Sequence, residues 1–170
     1  MKQHNKFRLI APCVALFFCL YFFASCSTTK QPVEVVGASE AEMAQAIASG
    51  KWIFVANQVM PQRGRSRTLT SRYTVILNND TLTSALPYFG RAYTAPIGET
   101  TSPLDFSSTN FTLNKNESGT GRWNINIRAN DVREVQVYNF TLFTNGSAQL
   151  NVQLTNRSPV SFSGRVMPVK

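Results

Sequence analysis

From Trp52 to the end of the chain, apolar and polar residues alternate with a period of two. Segment 122–128 places Trp123, Ile125 and Ile127 on one face and polar residues on the other, and segment 148–154 does the same. In a strand, successive side chains point to opposite faces, so this pattern predicts strands with one dry and one wet face. Such a chain buries its apolar residues by forming a half-exposed sheet.

Eight segments carry this alternation, and short polar turns separate many of them. The turns at 77–80, 116–121 and 144–147 contain Asn, Asp or Gly, and the Asn145-Gly146 pair is the strongest hairpin signal. Strands joined by tight turns pair antiparallel. The sequence therefore predicts an antiparallel meander of about seven or eight strands, with candidates at 52–59, 71–78, 81–86, 110–114, 122–129, 134–144, 148–155 and 160–166.

One helix is predicted ahead of the strands. Ser39 and Glu42 have the spacing of a capping box, and Gly50 supplies the C-terminal stop. A narrow apolar stripe between them must pack on something larger, and it consists of Met43, Ala44 and Ile47. The expected fold is α+β and β-dominated, with one N-terminal helix packed on the sheet, in a single β-rich domain at 39–170.

The first 25 residues have the features of a secretion signal. Lys2, Lys6 and Arg8 precede an apolar run at 9–25, which ends in small residues before Cys26. The stretch 23–26, Phe-Ala-Ser-Cys, resembles the lipobox of bacterial lipoproteins. That resemblance implies a signal peptide at 1–25 and a lipidated Cys26 with a tether at 26–38; the alternative is a short anchor that stays attached.

The residues that follow Cys26 indicate where in the cell the protein is located. Ser27 follows Cys26 where an aspartate would signal retention, which resembles the pattern of outer-membrane lipoproteins. Segment 27–36 lacks an acidic cluster resembling a surface-export signal. We therefore expect a lipid-anchored protein of the outer membrane of a diderm bacterium, facing the periplasm.

Removal of the leader limits the chemistry of the remaining chain. His4, Cys13 and Cys19 leave with it, and acylation blocks Cys26. A domain without histidine or free thiol lacks the parts of a Ser/His/Asp triad, a Cys/His pair or an imidazole zinc site. We expect no disulfide, no metal and no cofactor, and we do not expect an enzyme.

Carboxylates are the remaining route to catalysis, because a glycosidase needs two that face each other. The β region holds Asp80, Glu99, Asp105, Glu117, Asp131 and Glu134. Several lie in turns, where such side chains usually cap backbone groups. Glu99 and Asp105 form the pair nearest an aromatic loop, and they define a hydrolase hypothesis ranked below the others.

The formal net charge is +8, and loss of three basic residues with the leader lowers it by three. The basic residues are scattered except in Arg63–Arg67, Arg-Gly-Arg-Ser-Arg. We interpret this cluster as an exposed turn, with an anion-binding site as the alternative. A periplasmic address argues against nucleic acid as a partner.

The stretch 86–96, Leu-Pro-Tyr-Phe-Gly-Arg-Ala-Tyr-Thr-Ala-Pro, supplies the candidate binding residues Tyr88, Phe89, Arg91 and Tyr93. In one interpretation the rings form a platform for sugar faces, and Arg91 binds a carboxylate. In the other, which we favour, the rings fold over the open end of the sheet. Removal of Phe89 should then destabilise the domain severely.

Five motifs together resemble a known family. They are the stretch 86–93, a Pro-x-x-Gly-x turn at Pro61–Arg65, a Tyr-x-x-x-Leu-x-x-Asp pattern at Tyr73–Asp80, the Asn-Gly pair at Gly146 and Ser-Phe-Ser-Gly-Arg-Val at 161–166. They resemble the lipoproteins known as domain of unknown function 4251, over about Ala48–Val166. The resemblance implies a fold and an envelope address, and it transfers no functional residue.

Three functions remain open from the sequence. The leading one is a non-enzymatic module that binds an envelope glycan or protein. The alternative is a carrier or sensor with an apolar pocket between helix and sheet, and the third is the carboxylate hydrolase. A deep apolar cavity would favour the carrier, whereas a polar face with exposed rings would favour the binding module.

Overall fold

The computed structural model describes residues 38–93 and 101–169. They contain one helix, α1 (Glu40–Ser49), and nine antiparallel strands. The strands are β1 (Lys51–Pro61), β2 (Arg67–Asn78), β3 (Thr81–Ala85), β4 (Asp105–Ser108), β5 (Phe111–Glu117), β6 (Arg122–Ala129), β7 (Val135–Phe143), β8 (Ser147–Leu154) and β9 (Val160–Pro168). The predicted α+β class, with one helix and a dominant antiparallel sheet, is confirmed.

All nine strands belong to one sheet, which curls until it nearly closes on itself. The spatial order is β4-β3-β2-β1-β9-β8-β7-β6-β5. Consecutive strands pair with each other except β4 and β5, and β1 also pairs with β9, so the first and last strands meet. Within the described residues, no ladder joins β4 to β5. Beside this seam, Ser108 at the end of β4 donates a 2.6 Å side-chain hydrogen bond to Asp131 in the loop between β6 and β7.

The predicted count of seven or eight strands is too low by the short strand β4. Its four residues, Asp-Phe-Ser-Ser, contain one apolar side chain, Phe106, so they show no visible alternation. Pairing with β3 makes this segment a strand, and Ser108 is buried at its end. A neighbouring strand, and not local propensity, decides its conformation.

Helix α1 begins and ends where its caps predict. Ser39 and Glu42 form both hydrogen bonds of the capping box, and Gly50 adopts a left-handed conformation with a φ of 71°. Met43, Ala46 and Ile47 are buried against β1 and β9, whereas Ala44 is only half-buried. Lys115 on β5 donates a hydrogen bond to the carbonyl oxygen of Ala48. The helix thus reaches from the β1–β9 pair to the far side of the curled sheet.

Aromatic side chains fill the interior beneath the helix. The Phe140 ring lies 5.0 Å from Trp52, 5.7 Å from Phe54 and 6.1 Å from Tyr138, measured between centroids. All four residues are at most 2% exposed. Ring contacts of this kind add to the free energy of burial, so they form the centre of the core.

One polar network crosses this interior. The Ser84 hydroxyl lies 2.9 Å from the Tyr138 hydroxyl and donates a 2.7 Å hydrogen bond to the carbonyl oxygen of Leu104. Burial raises the pKa of the Tyr138 phenol, and its hydrogen bond with Ser84 offsets part of that rise. The phenol is therefore neutral at physiological pH, and Ser84 ties its hydroxyl to β3.

A bulge in β1 lies at its pairing with β9, in the middle of the sheet. Between Ala56 and Gln58, β1 advances by two residues while β9 advances by one, so Asn57 is the extra residue. At the same level, a Cβ on Gly164 would overlap the backbone carbonyl of Val55. Glycine at position 164 therefore allows the close approach of β9 to β1.

The predicted signal peptide, Cys26 and nearly all of the tether lie outside the described residues, and they stay predictions. In the part of the chain that the structure describes, no helix has the length and apolar character required to cross a bilayer.

Candidate functional site: a basic and aromatic cleft

A cleft of about 370 Å³ lies between the β1–β2 loop and the segment that follows β3. Its lining residues are Pro61, Gln62, Arg63, Phe89, Gly90, Arg91, Tyr93 and Ser158. We call this the basic cleft. It brings together three segments that are far apart in sequence: the arginine-rich turn, the aromatic stretch and the loop between β8 and β9.

Tyr88 fixes the aromatic segment to the fold. Its hydroxyl oxygen lies 2.9 Å from the carbonyl oxygen of Ser158 and 3.0 Å from that of Arg91, so both acceptors compete for its one proton. The Arg157 guanidinium lies 5.5 Å from the centre of the Tyr88 ring and 3.3 Å from the Glu134 carboxylate. Tyr88 is half-buried and packs against the core, so it serves structure more than recognition.

The backbone of Arg91 is also held in place. Its N–H donates to the Ser158 hydroxyl at 2.9 Å, and its carbonyl oxygen accepts from the Ser158 N–H at 2.9 Å. Ala92 forms an isolated bridge with Arg157, and the N–H of Tyr93 donates to the carbonyl oxygen of Asn156. Because the backbone is anchored while the Arg91 side chain is exposed, the guanidinium projects from a fixed base.

Phe89 and Tyr93 do not fold over the sheet as we favoured from the sequence. Phe89 is 39% exposed and Tyr93 is 68% exposed. The Arg67 guanidinium lies 5.3 Å from the centre of the Phe89 ring, on the outside of the molecule. Among the described residues of this stretch, Leu86 and Tyr88 pack inward, so the structure removes the reason for expecting severe destabilisation on removal of Phe89.

The arginine-rich turn and the aromatic stretch were separate features in the sequence. In the structure, Arg63 and Arg91 line one cleft, and Arg67 packs on Phe89. Among the described residues, none that lines the cleft is acidic. The arrangement offers guanidinium groups for carboxylate or phosphate and exposed rings for the apolar face of a ligand.

Sequence reasoning missed Gln62 and Ser158. Neither stands out locally, because each is an uncharged polar residue between a proline and an arginine in a loop. Ser158 is 8% exposed, and its hydroxyl accepts a hydrogen bond from the Arg91 N–H, so it holds the wall of the cleft. Burial of a loop serine next to an exposed aromatic segment is visible only in three dimensions.

The carboxylates that the structure describes do not converge on the basic cleft. Asp131 accepts a hydrogen bond from Ser108 at the seam, and Glu134 pairs with Arg157. Asp80 and Glu117 are exposed, and Asp105 is exposed at the start of β4. Glu99, the other residue of the hydrolase hypothesis, lies outside the described residues. In the described ranges, no group of three His, Cys, Asp or Glu residues is placed to hold a metal.

The family model described as "Domain of unknown function (DUF4251)" matches residues 35–166. The chain belongs to this family. A solved structure, a DUF4251 family protein from Bacteroides eggerthii DSM 20697, is 18% identical to this DUF4251 chain, with a TM-score of 0.56. The match covers 76% of this chain and 87% of the other, and it shows a shared fold. No curated protein matches this DUF4251 chain.

Proposed function

We propose that this protein is a lipid-anchored envelope module, without enzymatic activity, that binds an acidic envelope ligand in the basic cleft. The observation that supports the proposal is the meeting of Arg63 and Arg91 with exposed aromatic rings. Arginine binds carboxylate and phosphate bidentately, and aromatic rings contact the apolar faces of sugars. The anchored backbone around Arg91 reduces the entropy lost when a ligand binds.

The carrier alternative receives less support. A carrier needs a cavity between helix and sheet, but Met43, Ile47, Trp52 and Phe140 occupy that region and are at most 2% exposed. The basic cleft lies instead between loops, with a polar, arginine-lined wall. A ligand of the proposed module would therefore bind at the surface.

The binding proposal is tested with the full-length protein in detergent micelles and a carboxylate-bearing peptidoglycan fragment, by calorimetry at low and high salt. We expect binding that weakens with salt, since exposed charges are screened. Replacing Arg63 and Arg91 by Gln should weaken it by about 10-fold or more, because a charge-assisted hydrogen bond contributes about 1.5–3 kcal/mol.

The double variant Arg122→Gln, Arg128→Gln is the matched control, because both arginines are exposed on β6 and neither lines the cleft. It removes the same charge and should bind like the wild type. If the control and the cleft variant lose affinity equally, net charge alone accounts for the effect. An unchanged affinity in the cleft variant would refute the proposed site.

The anchor is tested separately at Cys26. If the lipid is the main attachment, Cys26→Ala should accumulate as uncut precursor, whereas the wild type should be processed and extracted with detergent from the outer membrane. Normal processing of Cys26→Ala would contradict a lipoprotein anchor and leave the cleft experiment unaffected.

A further inference from the structure

A second surface of the molecule carries a regular array of uncharged hydrogen-bonding side chains. On the outer face of β5–β9, two cross-strand rows each place one polar residue on every strand. The first row is Asn114, Asn126, Asn139, Asn151 and Ser161, and the second is Asn116, Asn124, Thr141, Gln149 and Ser163. We call these rows the amide face.

Strand formation does not explain this composition. Asparagine is depleted in strands relative to Thr, Val and Ile, yet it occupies the same row on four adjacent strands. Neighbours in a row lie about 4.7–4.9 Å apart, which is the spacing of strands. Threonine favours the strand conformation more than asparagine does. The amides therefore indicate a role in hydrogen bonding to a ligand on the solvent side.

Some of the amides orient one another. The Asn126 side chain donates to the Asn139 side chain at 2.6 Å, and the Asn151 side chain donates to the Ser161 hydroxyl at 2.9 Å. Each amide group has two N–H donors and an oxygen with two lone pairs. These bonds therefore fix the rotamers while leaving capacity for a ligand.

Part of the amide face lies in a depression of about 700 Å³. Its floor includes Asn139, Thr141, Gln149, Asn151 and Ser161, and its wall includes Pro61 and Gln62. Both wall residues also line the basic cleft. The uncharged depression and the cationic cleft thus meet along the end of β1.

We infer that the ligand is an oligosaccharide whose acetamido and hydroxyl groups bind the amide face and whose carboxylates bind Arg63 and Arg91. This inference rests on the proposed function and names its ligand class. Amides can donate to and accept from hydroxyl and acetamido groups simultaneously, whereas neither row offers charge to a salt-bridging peptide. A chain with carboxylates at intervals would span both surfaces.

The test compares two tetrasaccharides with one β-linked backbone: the neutral N-acetylglucosamine tetramer and a peptidoglycan glycan fragment that bears lactyl carboxylates. A glutamate-rich peptide is the third probe. Binding to full-length protein in micelles is measured by calorimetry for the wild type and for Gln149→Ala, alone and with Asn139→Ala. Gln149 is exposed, so its single variant should fold normally.

We expect the wild type to bind both sugars, and the charged one about 10-fold more tightly. The double amide variant should weaken both sugars about 10-fold, whereas the Arg63→Gln, Arg91→Gln variant should lose only the preference for charge. Asn116→Ala is the matched control, because Asn116 belongs to the same face but lies outside the depression.

Three results would overturn the inference: failure of both sugars to bind, unchanged sugar binding in the amide variants, or equal losses in Asn116→Ala. The glutamate-rich peptide separates the two proposals. If it binds through the arginines while neither sugar binds, the basic cleft stands and the glycan ligand is wrong. If the amide variants weaken the sugars while the arginine variant has no effect, the amide face stands and the cleft is wrong.

Discussion

The interior under α1 and the basic cleft use the same kind of side chain in opposite ways. In the interior, Trp52 and Phe54 both contact Phe140, and all three are at most 2% exposed. In the cleft, Phe89 and Tyr93 are 39% and 68% exposed and lie beside arginines. Rings in the first setting stabilise the fold, whereas rings in the second are available to a ligand.

Aromatic content alone does not locate a site, because the same side chains serve both regions. Burial removes about 150–250 Å² of each ring from water, which contributes strongly to stability. An exposed ring contributes little to folding, so the exposed rings beside the guanidinium groups support the proposed binding role. Tyr88 lies between the two cases, since it is half-buried and bonded to the backbone of Ser158.

The largest contrast is expected between Phe140→Ala and Phe89→Ala. Phe140 is 2% exposed and contacts three other rings, so its truncation should cost about 3–5 kcal/mol of unfolding free energy. Phe89→Ala should cost less than about 1 kcal/mol, because part of its ring is already in water. Urea unfolding of both variants measures the difference, and comparable losses would abolish the distinction between the two regions.

A smaller contrast involves two glycines. A Cβ on Gly164 would overlap the backbone of Val55, which cannot move without breaking the β1–β9 ladder. A Cβ on Gly90 would overlap side-chain atoms of Tyr88 and Ser158, which would have to give up hydrogen bonds but would displace no strand backbone. We expect Gly164→Ala to cost about 1–3 kcal/mol and Gly90→Ala clearly less.

Thermal melts of the two glycine variants check this order. Gly90→Ala should instead weaken binding in the cleft, since Tyr88 and Ser158 hold its wall. A larger stability loss in Gly90→Ala than in Gly164→Ala would mean that the cleft is packed more rigidly than the β1–β9 pairing.

The smallest contrast is between the tyrosine hydroxyls. Tyr88→Phe removes a hydroxyl that bonds to the carbonyls of Arg91 and Ser158, and it should cost about 1 kcal/mol. Tyr93→Phe should change stability by less than about 0.5 kcal/mol, because Tyr93 is 68% exposed. Chemical denaturation distinguishes the two, and a larger effect of Tyr93→Phe would place that side chain in the structural region.

Local sequence signals located most of the fold correctly. The capping box at Ser39 and Glu42, the stop at Gly50 and the alternation in β6 and β8 depend on residues within a few positions of one another. Strand β4 was not predicted, because its conformation depends on its pairing with β3 and its own residues show no alternation. The candidate residues Tyr88, Phe89, Arg91 and Tyr93 lie on one segment, and the last three line the basic cleft, but their individual burial was not predictable.

The sequence by itself determined the antiparallel strands, the positions of the tight turns and the ends of the helix, because periodicity and capping act between near neighbours. Only the tertiary structure decided that β1 pairs with β9, that Arg63 shares a cleft with Arg91, and that Tyr88 turns inward while Phe89 turns outward. The contact that sets this last choice joins Tyr88 to Ser158, 70 positions apart in the chain. Such contacts form when the sheet closes, and no local pattern of residues encodes which side chains then meet.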